Sequence, residues 1–337
     1  MYLDFFGLKE NPFNLVSDPR FLYYSESHCD AMSHLLYGVR ERKGIILMLG
    51  EAGTGKTTLV RATLEMLQST RVTTSVILNP ILSKTEEFFE AMLRGFGLDG
   101  FRSNNVEMLD VLQRFLRQQQ RRNLIPVLIV DEAQELTRPL LEQIRMLSNL
   151  EADGQKLLQF VLASQPEMSE KLDTFELRAL RQRIVVRCRL KPLNAKESWQ
   201  YLHSRLIFAG ADKQRSIFQP EAVEVMYTFS GGIPRLLNSI ADNCLLAAYA
   251  RNVAQVDPIT VHQVVEHLEL TEVAVATGSA AAVHQDVMRA SSSWQEVVSD
   301  IKSGQVPEAL KQFVENLQAP NHMKPEQALS AAVRRGE

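Results

Sequence analysis

Cysteine is scarce in this chain: Cys29, Cys188 and Cys244 are its only three among 337 residues. They are odd in number and too far apart for a metal knuckle, so a disulfide framework is not expected and reduced core thiols are. Long apolar runs are missing too. "GIILMLG" and "PVLIV" fall far short of the roughly 20 residues that cross a bilayer. The opening "MYLDFFGLKENPF" carries charges where a signal peptide needs an apolar stretch. A cytoplasmic protein is expected, with any place at the inner membrane peripheral and held through partners. The chain also lacks a strong charge of either sign, with a formal net charge of -3. That argues against wholesale coating of nucleic acid while allowing a local basic patch. No internal repeat is evident. With 45% hydrophobic residues, the length suits two compact units and a tail.

What is present alternates. Residues 45–49 form a short apolar run ending in glycines, and from Thr58 to Leu67 apolar positions recur at Leu59, Ala62, Leu64 and Leu67, which predicts strand, loop, helix. Further strands are expected at "VTTSVIL" (72–78), "PVLIVDEAQ" (126–134), "LLQFVLAS" (157–164) and "RIVVRCRL" (183–190). Helices are expected at "KTEEFFEAMLRGFG", ending on Gly97, and from about Val106 to Arg121. Five strands alternating with helices predict a doubly wound α/β domain. Beyond "LKPL" only helical periodicity remains, in "AKESWQYLHSRLIFAG", "QPEAVEVMYTFSGG", "IPRLLNSIADNCLLAAYA" and "DPITVHQVVEHLEL", so a separate all-helical domain is expected. The stretch from Val273 to Ser293 loses bulky residues and reads as a linker. In the tail, Val306, Leu310, Phe313, Val314 and Leu317 share one face of a docking helix.

The loop "LGEAGTGKTT" (49–58) matches G-x-x-x-x-G-K-[ST] at Gly50, Gly55, Lys56 and Thr57, with a strand before it and a helix after it. Its glycines let backbone N–H groups of Glu51, Ala52, Gly53, Thr54, Gly55 and Thr58 surround phosphate oxygens at a helix N-terminus. Lys56 is placed to neutralise the β- and γ-phosphates of ATP, and the Thr57 hydroxyl to ligate Mg²⁺. Asp131 and Glu132 end the buried third strand, where a carboxylate faces the crevice at the carboxyl edge of a sheet. Asp131 suits Mg²⁺ and Glu132 the attacking water. The bland alternatives are a glycine-rich turn that binds nothing and an acidic pair capping the next helix.

In order and spacing, "GEAGTGKTT", "LIVDEAQ", "LASQPEM", "LRALRQRI" and "GGIPRLLN" resemble the AAA+ ATPases of the ExeA type, the general secretion pathway protein A family. The opening "YLDFFGLKENPFNLVSDPRFLYYSESHCDAMSHLLYGV" is similar to the start of that family. The likeness covers about residues 1–270. It implies a P-loop AAA+ fold, a doubly wound parallel five-stranded sheet with a C-terminal helical lid. The parts implied are an N-terminal segment at the nucleotide site (1–40), the α/β domain (41–193), the lid (194–270), a linker (271–295) and a helical tail (296–337). Gln165 or Ser164 falls at the sensor-1 position, where many AAA+ proteins have asparagine or threonine. Arg235 in "GGIPR" matches sensor 2. Arg183 stands where an arginine finger enters a neighbouring subunit's site, with Arg178 and Arg181 as rivals, and a solvated basic edge or DNA-facing strip as the other reading of that run. The helix after Tyr24–His28 packs beside adenine in the family. Its longer members continue into a membrane span and a periplasmic peptidoglycan-binding domain, neither of which lies in these residues.

The function implied is an ATPase binding Mg-ATP at subunit interfaces of a ring or filament, and driving assembly of a secretion, pilus or polysaccharide-export system. Transposition helper ATPases of the TniB and TnsC types resemble the same core. An ATP-dependent DNA-binding regulator is therefore the alternative, with "RFLRQQQRR" at 114–122 as either a DNA contact or a helix's solvated face. A nucleotide-dependent scaffold with negligible turnover is the third reading.

Overall fold

The computed structural model describes residues 2–16, 18–68, 71–82, 84–99, 104–212, 215–273 and 280–292. The expected tail helix around 306–317 lies outside them. By internal contacts the described residues divide into two compact units: an α/β unit of residues 26–52 and 56–190, and a helical unit that gathers residues up to Ser25, Gly53–Gly55 and the described residues from Lys191 to Ser292.

In the α/β unit, strands β1 (Ile45–Gly50), β2 (Val72–Ile77), β3 (Ile125–Val130), β6 (Gln159–Ser164) and β7 (Ile184–Leu190) form one sheet in the order β2-β3-β6-β1-β7, all parallel. A two-stranded antiparallel hairpin, β4 (Glu151–Ala152) and β5 (Gln155–Lys156), precedes β6. Every residue of β1 and β6 is buried, as central parallel strands covered on both faces require. In β7 buried and exposed positions alternate, the pattern of an edge with one wet face. Phe160, Ile45, Leu47, Phe88, Met92, Leu112, Leu116, Leu140 and Ile144 belong to one continuous core.

Two strands end differently from expectation. The third stops at Val130 rather than running to Gln134, because Asp131 turns its carboxylate back to accept from Glu132 N at 3.0 Å and Ala133–Glu135 form a 3-10 turn. The fourth begins at Gln159, since Asp153 and Gly154, at φ +52 and +73, make a tight hairpin of the residues before it; Asp-Gly suits the left-handed turn that such hairpins need. The basic run 114–122 lies on the helix Asn105–Arg121, which buries Phe115, Leu116 and Gln119. Its Arg114 pairs with Asp110 at 2.9 Å on the solvent side.

The helical unit packs Ala195–Phe208, Pro220–Ser230, Pro234–Ala250 and Pro258–His267 around Trp199, Leu202, Phe218, Met226, Leu237 and Ile240. The first of these helices starts on a reciprocal cap: Asn194 accepts from Glu197 N at 2.8 Å and Glu197 accepts from Asn194 N at 2.9 Å. Phe6, Leu8 and Phe13 of the N-terminal stretch join this core. Buried Arg205 ties that stretch down, donating to the Pro12 carbonyl at 2.5 Å and to the Tyr201 hydroxyl at 3.0 Å. The segment expected as one piece over 1–40 is thus shared, its residues from Glu26 to Arg40 forming a helix of the α/β unit. The expected linker over 271–295 needs correction: residues Ala280–Ser292 form a helix, and Val287 and Ala290 are buried in the helical core. Small residues there allow close packing rather than marking a spacer.

Candidate functional site

Residues Gly50 to Thr57 leave the carboxyl end of the interior strand β1 and enter the helix Lys56–Gln68. Gly53 and Gly55 have φ of +82 and +99, values that L side chains rarely adopt. Lys56 is only 4% exposed. Its ammonium donates to the Gly50 carbonyl at 2.9 Å and to the Glu51 carbonyl at 3.1 Å. Burial pushes its pKa below the ordinary lysine value, opposed by the carboxylates of Glu132, Asp131, Glu51 and Glu167. An ammonium has three donors. Two are spent on the loop's own backbone, which leaves one for a phosphate oxygen.

The next residue, Thr57, reaches a different strand: its hydroxyl donates to Asp131 Oδ2 at 2.5 Å. Asp131 is buried at the end of β3. A hydroxyl and a carboxylate in contact are hard oxygen donors, the set that would suit Mg²⁺. Thr54 is buried, Thr58 and Ala52 flank the loop, and Glu51 is exposed.

Glu132 takes a left-handed backbone, φ 52 and ψ 44, uncommon for a non-glycine residue. Its Oε2 accepts from Gln134 Nε2 at 2.6 Å and from Gln165 Nε2 at 3.1 Å. Gln134 in turn accepts, through Oε1, from Ser164 Oγ at 3.0 Å and from Gln165 N at 3.1 Å. Glu132, Gln134, Ser164 and Gln165 therefore close a ring joining the ends of β3 and β6. Lys171 fastens it from outside, donating to the carbonyls of Gln134 at 2.9 Å and Leu136 at 2.5 Å. Both sensor-1 candidates are in the ring. Gln134 and Lys171 were not singled out from the sequence; the glutamine of "DEAQ", two residues past the acid on a turn, was the available signal.

The structure does not gather every expected residue here. Arg183 precedes β7, at the opposite end of the sheet. It makes no ion pair among the described residues, whereas Arg181 is held by Asp173 at 2.6 Å; Arg178 is exposed at the start of a short helix. Arg235 opens the helix Pro234–Ala250. Within the helical unit its backbone N donates to the Gly53 carbonyl at 3.2 Å, and a Cβ on Gly53 would lie 2.7 Å from that of Arg235. Only glycine permits that approach.

Residues 39–172 match an AAA domain family. Over 252 residues, 74% of the chain, it is 42% identical to general secretion pathway protein A of Aeromonas hydrophila, and it spans 45% of that protein's length. Solved structures show the same fold. The ORC2 protein of Aeropyrum pernix in ADPNP-ADP complexes has 13% identity and a TM-score of 0.60, with 97% of each chain covered. Cdc6p of Pyrobaculum aerophilum has 18% identity and a TM-score of 0.60, with 96% of each chain covered. The phosphate loop, the strand-end acids and the sheet order have a P-loop AAA+ arrangement, and with the sequence identity they place the chain in the AAA+ family of the ExeA type.

Proposed function

We propose that the protein binds Mg-ATP and hydrolyses it to ADP and phosphate. The observation that carries this reading is the 2.5 Å contact from Thr57 to Asp131, which brings a phosphate-binding loop and an acidic strand end into one oxygen-rich site. Backbone N–H groups of the loop and Lys56 hold the phosphates, and Thr57 and Asp131 hold Mg²⁺. When bound, Mg²⁺ offsets negative charge on the phosphate oxygens. Glu132 orients water and takes up its proton as the oxygen bonds to the γ-phosphorus, while the bond from that phosphorus to the β,γ-bridging oxygen breaks and ADP leaves with the electron pair. Gln134 and Gln165 fix the direction of that carboxylate. Arg235, whose backbone N donates to the Gly53 carbonyl, stands beside the turn of the phosphate loop, where its side chain is suited to respond to the γ-phosphate.

Arg183 supplies the charge that a neighbouring subunit's site lacks, so turnover belongs to an oligomer. Among the described residues it makes no ion pair within 4 Å, only longer-range interactions with Glu142 and Glu151, and this and its place at the end of the sheet away from its own loop support the role. The likeness to general secretion pathway protein A supports work on a secretion or envelope assembly, from the cytoplasmic side. Among the described residues no helix is long and apolar enough to cross a membrane.

The reading is tested by titrating a fluorescent ATP analogue with and without Mg²⁺. Wild type should bind more tightly with the metal. Lys56→Ala should lose binding, and Asp131→Asn should lose the Mg²⁺ dependence. Equal binding by all three proteins would refute the assignment.

A further inference from the structure

All five parallel strands begin at the end of the sheet opposite the phosphate loop. There a cavity of about 390 Å³ is lined by Arg40, Arg42, Asn123, Glu151, Gln155 and Lys156, with Glu41, Ile125 and Gly154. Its walls come from three segments, each leading into a different strand: residues 40–42 into β1, 123–125 into β3, and the β4–β5 hairpin into β6. These strands lie side by side in the sheet. The fold therefore builds this cavity as directly as it builds the phosphate loop, one strand length away. Six residues at about 3.3 Å each separate the two ends by roughly 20 Å, too far for one nucleotide's phosphates to occupy both.

The cations here are poorly matched. Arg42 sits at φ +48, a costly conformation for a long side chain, and its Nη2 donates to the Leu124 carbonyl at 3.1 Å. Its Nη1 and that of Arg40 are buried and make no hydrogen bond among the described residues. Neither guanidinium makes an ion pair there, and the carboxylate of Glu151 is taken by Lys156. Burial pushes the pKa of both arginines down, with Glu41 opposing this at Arg40. A guanidinium nevertheless stays charged in a protein. Leaving such a charged donor buried and unmet costs more than leaving a neutral one so. Arg40 and Arg42 both line the cavity with no carboxylate paired to them among the described residues, a charge that an oxyanion in the cavity offsets, and the planar fork of arginine matches phosphate oxygens two at a time.

We propose that the amino end of the sheet is a second anion site, separate from the ATP site, that takes the phosphate group of a small phosphorylated ligand through Arg40 and Arg42. The volume is that of a small-molecule site. The amides of Asn123 and Gln155 add neutral polar groups to the lining. Glu41 and Glu151 beside the arginines oppose the extended backbone of a nucleic acid, which favours a compact ligand.

The test is calorimetric titration of the full chain with inorganic pyrophosphate, in a Lys56→Ala background that silences the phosphate loop. One binding site is expected, weakened at least tenfold by Arg40→Gln with Arg42→Gln and less by Lys156→Gln. Arg40→Lys and Arg42→Lys, which keep the charge and lose the fork, should also weaken it, and they serve if the glutamine pair does not fold. Absence of binding in the Lys56→Ala protein, or unchanged affinity in folded arginine variants, would overturn the proposal. So would arginine-dependent binding of a duplex oligonucleotide without binding of pyrophosphate.

Discussion

The two units use their buried polar groups in opposite ways. In the α/β unit, besides helix and strand groups such as Thr63 and Ser75 that bond to nearby carbonyls, a cluster sits where strands end: Lys56 and Asp131 are buried, Gln134 joins them half-buried, and each is bonded to a carbonyl, a hydroxyl or a carboxylate of that site. In the helical unit they sit inside helices and fasten packing. Tyr201 donates to Asn238 Oδ1 at 2.8 Å, Arg205 binds Tyr201 and the Pro12 carbonyl, and His203 stacks on Trp199 at 3.7 Å. Burial alone therefore does not distinguish a site from a strut. Position at a strand's carboxyl end does, because the backbone there turns away and leaves the side chain facing the crevice. Substitutions in the first group should change turnover and spare stability, and those in the second should do the reverse.

The largest effect expected is on Glu132→Gln. Losing the base should lower kcat about 100- to 10,000-fold, with ATP affinity and the melting temperature kept; a comparable fall in melting temperature would make Glu132 a strut. Next is the pH response of His203, whose pKa burial lowers to about 4. Between pH 6.5 and about 4 the unfolded chain takes up a proton that the folded imidazole refuses. Stability is thus complete above pH 6.5 and falls by about 3 kcal/mol down to pH 4. Denaturant unfolding at several pH values should show this loss reduced in His203→Phe relative to wild type. A third test sharpens the boundary between the groups: Gln134→Ala should lower kcat about tenfold at nearly unchanged KM, as expected of a positioning residue whose ring holds the base. An unchanged kcat would return Gln134 to a structural role. The smallest effect is Asn194→Ala, where loss of the helix cap should cost about 1 kcal/mol by urea unfolding and leave kcat alone.

Local chemistry decided what was legible in the sequence. The phosphate loop was readable because glycine spacing, lysine and threonine must be contiguous to work, and β1, β2 and β7 because their apolar runs are bounded by turn residues. Thr57 with Asp131 was expected from roles, though their direct contact depends on two strands being brought together over 74 positions. The ring through Gln134, Ser164 and Gln165 was harder, since its members are joined by side chains from separate strand ends. The hairpin at Asp153–Gly154 carried a turn signal that the neighbouring apolar run overshadowed. The helix Ala280–Ser292 was hidden by composition: alanine and serine suggest a spacer, yet Val287 and Ala290 fill the helical core. The cavity lined by Arg40 and Arg42 leaves no local signature, because three distant segments meet only through the sheet order.

The most direct test of the central claim is phosphate release per subunit against protein concentration, for wild type, Glu132→Gln, Arg183→Ala and an equimolar mixture of the two variants. Turnover per wild-type subunit should rise with concentration, each variant alone should be near zero, and the mixture should partly recover, because there an intact base meets an intact Arg183 from a neighbour. Turnover independent of concentration in wild type, or wild-type rates in Glu132→Gln, would contradict that claim.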